Sequence, residues 1–467
     1  MGLTDLKLLP TPKFVSGADQ NGSYQWKDFS KRIFTSKADW QKLTEVFAYY
    51  TKKAYDFDVE SGEGGIEMLF DFNLENGHYR IDTMGDGVKL YAADANGMGY
   101  AIATLIQIIE DGKVPVLTIE DYPDCEYRTL MVDLGSRWHT FDLVLNYVDL
   151  CFLYKLSFMH IHFIEIPSYT LPSDVFPDIF TKDRHYTKEQ IRELNEYAAA
   201  RNITLIPEFE VPSHASAMIA AYPELFGCTD PEEKITICPC RQGLYDNLDK
   251  LVTEICEMFP NSPYIHIGGD EAGFPRCPEC PLGKKYLEDN HLPTPGALYT
   301  HFVANMTKII FAHHRTPIVW EGFPKEGDDA ISRDVIVTGW ESYYHYPTDL
   351  LDEGFKVINA SWQPLYINRT MNWTPYDILK WDIYTWQNWW EKSPAHLNPF
   401  RARPTDNVWG AQLCAWGSTY DRAMPIVKEN LIALSERTWS VKRVAEDAEF
   451  KVRLEKLLGI VNAVVRE

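Results

Sequence analysis

From residue 128 onward, short apolar strand patterns alternate with helix patterns, and that alternation leaves few folds open. Strand patterns fall at 128–132, 158–163, 204–207, 264–268, 317–320, 335–340, 356–360 and 408–413. Helix patterns lie between them at 141–152, 186–201, 243–259 and 297–313, and a helical stretch over 430–467 would close the exterior. The second of these helices carries its own start signal, Thr187 as N-cap with Glu189 in the first turn. Eight strands separated by helices or long loops predict an α/β chain, a (β/α)8 TIM barrel with enlarged βα loops. Upstream, YRIDTMGDGVKLYAAD holds two alternating strands broken by Gly-Asp-Gly, followed by a helix over 97–109. This is a small α/β domain. The boundary is placed near Asp121, giving 1–120 for the small domain and 121–467 for the barrel with its C-terminal helices.

Composition excludes several partners. With 45% apolar and 24% charged residues the chain is neither disordered nor collagen-like. A net charge of −22 repels phosphate backbones, so nucleic acid is not expected as a partner. No apolar run approaches the ~20 residues of a membrane helix, so no membrane contact is expected. MGLTDLKLLPTPKF lacks a basic segment followed by a long apolar one. The expectation is a cytoplasmic protein, or a secreted one whose leader has been removed.

A barrel of this kind carries its chemistry at the C-terminal ends of its strands. Glu165, Glu208, Asp270–Glu271, Trp320, Trp340, Tyr366 and Trp416 fall there, with Arg137 and His214 in nearby loops. Carboxylates and aromatic rings therefore meet at one mouth. Aromatic residues are 13% of the chain, including 14 Trp, and suit either a packed core or the flat apolar face of a sugar. The centre is YIHIGGDEAG, 264–273. Asp and Glu in the first turn of a helix are the ordinary reading of such a pair. Here the glycines allow close backbone approach to a ligand. Adjacent carboxylates cannot straddle a glycosidic bond at the ~5–5.5 Å of a nucleophile–acid pair. Attack by the substrate's own 2-acetamido carbonyl, through an oxazolinium ion, removes that difficulty.

At these residues the chain resembles glycoside hydrolase family 20, the β-N-acetylhexosaminidases, including lacto-N-biosidase-like members. The resemblance runs through YRTLMVDLGSRWH, YKLSFMHIHFIE, LIPEFEVPSHASAMIAAYPEL, HIGGDE and VWGAQLCAWGS in that order. DGVKLYAADANGMGYAIATLIQII resembles the end of the family's small domain. The resemblance implies a retaining exo-acting glycosidase for terminal β-linked GlcNAc or GalNAc, with a glycan as partner and no cofactor for catalysis. It implies that Asp270 orients the acetamido group and Glu271 is the general acid/base. Tyr366 would bind the acetamido carbonyl, and Trp320, Trp340 and Trp416 would wall the sugar. Arg137 would grip ring hydroxyls, and His214 would touch Glu271, relayed by Glu165.

Several positions depart from the family, among them Glu165-Ile166 where its second strand often ends in two Asp, and Pro212-Ser213-His214 in place of Pro-Gly-His. Trp416-Gly417-Ser418 stands where the family has Trp-x-Glu. Either another acid reaches in, or the O3/O4 side is open to a further sugar as in lacto-N-biosidases, or the chain is a glycan-binding pseudoenzyme. Asn368-Arg369 stands near O6, where many members carry Asp, and a guanidinium there would pair with a 6-O-sulfate. Apart from the resemblance, the chain holds nine cysteines. Cys238-Pro-Cys240 and Cys277-Pro-Glu-Cys280 form two close pairs suited to a structural zinc, to separate buried thiols, or to a disulfide.

Overall fold

β-Branched and aromatic runs bounded by Gly, Pro and Asp set the strands, and capped amphipathic segments set the helices. The computed structural model describes residues 6–465, apart from 167, 231, 275–276, 372 and 443–444. Eight strands form the barrel: β1 Tyr127–Asp133, β2 Phe158–His162, β3 Thr204–Val211, β4 Tyr264–Gly268, β5 Thr316–Trp320, β6 Ile336–Gly339, β7 Lys356–Asn359 and β8 Val408–Ala415. Each pairs in parallel with the next, and β1 pairs with β8 from Tyr127↔Gly410 to Val132↔Ala415, which closes the ring.

The upstream unit is a seven-stranded mixed sheet, ordered Phe14–Ser16, Thr118–Asp121, Tyr79–Asp82, Val88–Ala92, Ile66–Phe70, Arg32–Thr35, Glu60–Ser61. Helices α1 Gln41–Tyr55 and α2 Ala95–Ile108 pack against it. Asp94 caps α2 by accepting the Gly97 N–H.

The barrel helices include α3 Phe141–Leu153, α4 Lys188–Ala200, α5 Leu244–Met258 and α6 Pro295–Ala312. Thr187 caps α4 in a reciprocal box with Gln190. Two corrections concern extents. The helical stretch expected over 430–467 begins ten residues earlier, as α7 Tyr420–Trp439 followed by α8 Asp447–Val464, and residues 466 and 467 lie outside the described residues. A hydrophobic pattern carries no mark of where one helix stops and a second begins on the same face. β3 and β8 run past their expected ends, and in β3 the added residues include the buried acids Glu208 and Glu210.

The barrel interior is layered. At the bottom, Tyr127, Phe158, Ile206, Ile318, Ile336, Ile358 and Trp409 form an apolar plug, with Tyr127 and Trp409 ring centroids 4.6 Å apart. Above it lies a polar layer in which Gln412 Oε1 accepts the Tyr127 hydroxyl at 2.8 Å and faces His160 Nδ1 at 3.1 Å. The top layer is aromatic: Met131, Trp320, Trp340, Tyr366 and Met371, with Trp362, Trp373 and Trp416 packed beside them.

A buried clasp joins the two units. Asp121, at the end of the upstream sheet, accepts Lys13 N at 3.0 Å, Trp439 Nε1 at 2.8 Å and the Tyr79 hydroxyl at 2.6 Å. Its Oδ2 pairs with Lys155 Nζ at 3.2 Å, both side chains being shut from solvent. Burial pulls the Lys155 ammonium below its usual pKa against the pull of Asp121.

Candidate functional site

The β4 strand runs into Gly268-Gly269-Asp270-Glu271. Gly268 has φ of +65°, and a Cβ there would stand 1.8 Å from Glu210 Oε2, so any other residue would displace the Glu210 carboxyl. A Cβ on Gly322 would likewise meet Asp270 Cβ at 2.6 Å. These two close approaches seat Asp270 deep in the mouth. Glu271 itself has φ of +53° and His214, its partner, +54°, a left-handed backbone that ordinary side chains seldom adopt.

Asp270 is buried while the Glu271 side chain is 48% exposed. Burial first, then the charge of Glu271, pushes the Asp270 carboxyl well above its usual range. His214 Nε2 stands 2.9 Å from Glu271 Oε2, and its Nδ1 stands 3.4 Å from Glu165 Oε1. Glu165 Oε2 lies 3.6 Å from His162 Nε2, and His162 Nδ1 is hydrogen-bonded to Glu208 Oε2 at 2.5 Å. Acid and imidazole thus alternate from the barrel interior out to Glu271.

Glu208 anchors that line. It meets His160 Nε2 at 3.0 Å and His266 Nδ1 at 3.2 Å, and accepts Trp320 Nε1 at 2.6 Å. Burial opposes its charge, but His162, His266 and His160 hold its pKa well below normal. Burial drops His266 to about 4, while Glu208 overcomes burial to hold His162 well above its ordinary value. The carboxylates and imidazoles here need no metal to account for their spacing.

The aromatic residues close around the pair. Trp340 and Tyr366 lie parallel, centroids 6.1 Å apart at 11°. Trp416 sits 6.2 Å from Tyr366 and 5.9 Å from Trp320. Trp320 is fully buried and forms the floor, and Trp340 Nε1 donates to the Glu321 carbonyl at 2.6 Å. Beyond them Trp362, Trp389 and Trp390 continue outward in ring contact.

Other expected residues stand apart from this centre. Arg137 is exposed, its Nη1 3.5 Å from the Ser136 carbonyl, and pairs with no carboxylate among the described residues. Ser418 is buried, with its carbonyl 3.1 Å from His139 Nε2. Asn368 Oδ1 accepts Thr370 N, Thr370 Oγ1 and Met371 N at 2.8–3.0 Å, which ties the residue into its own turn. Arg369 beside it is exposed. Cys240 and Cys277 bring their sulfurs to 3.2 Å, and all nine cysteines are free thiols.

Several residues here had drawn no expectation. Asp133 accepts Ser136 N and Gly417 N, each at 2.8 Å, and so ties the top of β1 to the segment after β8. Glu210 is buried behind Gly268, and burial with the charges of Asp270 and Glu208 raises its pKa well above normal. Glu321 gathers the N–H groups of Ser342, Tyr343, Tyr344 and His345. Glu341 is pushed up to about 8 by burial and by Glu321 and Glu271. One signal was available: Trp-Glu occurs at 320–321 and again at 340–341, each closing a strand pattern.

A model of the glycosyl hydrolase family 20 catalytic domain matches residues 125–442, and a model of the family's domain 2 matches 5–122. Among curated proteins, a β-hexosaminidase of Porphyromonas gingivalis is 26% identical over 99% of this chain, which spans 63% of that protein's length. A β-hexosaminidase of Vibrio furnissii is 26% identical over 79% of this chain and 65% of its own. Among solved structures, a GH20 exo-β-N-acetylglucosaminidase of Vibrio harveyi superposes with a TM-score of 0.84 at 21% identity, covering 99% of this chain and 78% of that one. The likeness to that structure is one of fold.

Proposed function

The chain belongs to glycosyl hydrolase family 20, and from that premise we propose that it removes terminal β-linked N-acetylhexosamine from glycans by substrate assistance. The acetamido carbonyl oxygen attacks the anomeric carbon as the glycosidic bond breaks. Glu271 gives its proton to the leaving oxygen, and Asp270 holds the acetamido nitrogen of the oxazolinium ion. Water then adds at the anomeric carbon, returning a proton to Glu271, and the configuration is retained. The bond changes balance without a cofactor. Tyr366 meets the acetamido oxygen, and Trp340 and Trp416 wall the sugar over the Trp320 floor and keep water off the oxazolinium face.

The observation that carries this reading is the unlike setting of the two neighbours. One carboxyl is buried beneath aromatic rings, and the other reaches toward solvent with an imidazole at 2.9 Å. A thiazoline analogue of the oxazolinium is therefore expected to inhibit tightly. A covalent bond trapped between enzyme and sugar overturns the mechanism.

His214 supplies a pH signature. Burial alone would lower its pKa, but the hydrogen bond to Glu271 and the charges of Glu165 and Asp270 lift it to about 9. Its stabilising contribution is complete below the unfolded value of ~6.5 and is lost as pH rises through the folded value. Because His214 is hydrogen-bonded to the group that donates the proton, His214→Gln is expected to shift the alkaline limb of the kcat/KM profile. A limb that does not move in that variant would exclude His214 from the role.

Arg137 without a carboxylate partner among the described residues, together with Ser418 where the resemblance leads one to expect an acid, favours a second reading. On it, the O3/O4 side accepts a substituted sugar and the product is a disaccharide, as in lacto-N-biosidases. Chromatography of the products from galactose-capped and uncapped glycans separates the two: a disaccharide from the capped glycan supports it, and exclusive release of monosaccharide ends it. Arg369 extends the first reading to 6-O-sulfated N-acetylhexosamine. Arg369→Ala is expected to lose rate on the sulfated substrate and keep it on the plain one. Equal losses on both would remove sulfate recognition from that residue.

A further inference from the structure

Five of the nine cysteines gather on two loops. Cys228, Cys238 and Cys240 come from the loop after β3, which opens with His214, and Cys277 and Cys280 from the loop after β4, which opens with Glu271. Cys228, Cys238, Cys277 and Cys280 line one cavity of about 380 Å3, and Glu271 lies on its wall. Cys240 stands just behind, with its Sγ 3.2 Å from that of Cys277. The shared cavity and the Cys240–Cys277 approach thus bring the five cysteines to one place. Cys280 Sγ also accepts the Gly283 N–H at 3.1 Å, at the head of the helix Pro281–Asp289.

Core packing does not call for five thiols on one cavity, and a disulfide needs only two, with sulfurs ~2.05 Å apart. Two sulfurs on a tetrahedral zinc with Zn–S of ~2.3 Å stand about 3.8 Å apart. The Cys240–Cys277 spacing of 3.2 Å lies nearer the second figure. Among the described residues the groups of three ligand atoms within 4.8 Å of one another hold no cysteine, so ligation would draw the sulfurs inward by rotation about their single χ1 bonds.

We propose that this cluster is a structural Zn²⁺ site, with four of the five sulfurs as ligands, that fastens the loop after β3 to the loop after β4. An all-sulfur set is closed, leaves no position for water or substrate, and selects a soft-accepting ion. Binding exchanges four thiol protons for one Zn²⁺ and leaves a dianionic tetrathiolate centre. Neither the metal nor any of these cysteines touches the reacting sugar. Its effect is positional, because the two loops it joins are those that carry His214 and Glu271.

The full chain, purified under reducing conditions without chelator, is to be assayed for zinc by mass spectrometry and for thiols by Ellman titration after denaturation in chelator. About one zinc per chain is expected, together with nine titrated thiols. Cys238→Ser and Cys277→Ser should each abolish bound zinc, while Cys256→Ser, outside the cluster, should leave it. Should the two cluster variants fail to fold, Co²⁺ titration of the wild-type chain serves instead. It is expected to give sulfur-to-cobalt charge-transfer absorption saturating near one equivalent. A chain that holds no zinc and takes up neither Zn²⁺ nor Co²⁺ when reduced overturns the proposal, and a thiol count lower by two assigns a Cys240–Cys277 disulfide instead.

Discussion

Glu271→Gln is expected to lower kcat for an aryl β-N-acetylglucosaminide by at least about 10²-fold, equivalent to ~2.7 kcal/mol of transition-state stabilisation. Glutamine keeps the shape of the side chain and removes the proton that the leaving oxygen needs. The loss should shrink as the aryl group becomes a better leaving group, since a dinitrophenolate departs without an acid. That dependence separates an acid from a residue that only packs. Asp270→Asn should cost nearly as much, and its loss should persist across leaving groups, because the acetamido nitrogen needs its partner whatever departs. If both variants turn over at the wild-type rate, the assignment of the pair is wrong.

The second large effect lies far from the mouth. Asp121→Ala leaves the Lys155 ammonium buried with its anion gone, and also removes the acceptor of Trp439 Nε1 and of Lys13 N. Removing one partner of a buried ion pair costs about 3–5 kcal/mol. The denaturation midpoint should fall accordingly. Lys155→Met added to Asp121→Ala should recover part of the loss, since no buried charge then remains. A single variant within about 0.5 kcal/mol of wild type would place it among ordinary surface substitutions and refute the clasp.

The barrel was legible because each strand and each helix announces itself within a dozen residues, and eight such units admit few arrangements. The small upstream domain was legible for the same reason, through its Gly-Asp-Gly hairpin and the helix that follows. The aromatic residues of the top layer were also visible, since they close strand patterns. What escaped depends on partners distant in the chain. Asp133 meets Gly417 only once the ring closes, and Glu210 acquires its setting from Gly268 on the next strand. The turn of Asn368 is a local matter instead, its oxygen folding back onto Thr370 and Met371 two and three residues on, as Asn side chains favour. Cys228 lies ten residues before the nearer cysteine pair, outside any compact motif, and joins the cluster through the path of its loop.

The layering of the barrel has an electrical consequence. Dissolved salt screens exposed charges over about 8–10 Å of water. The Glu208 carboxylate and its three imidazoles sit between an apolar plug below and a roof of rings above, where no counter-ion reaches them. The surface carries −22 and must respond to ionic strength, whereas this inner set does not. Drift in surface composition can therefore adjust how the protein meets its surroundings and leave the polarity at the floor of the mouth untouched.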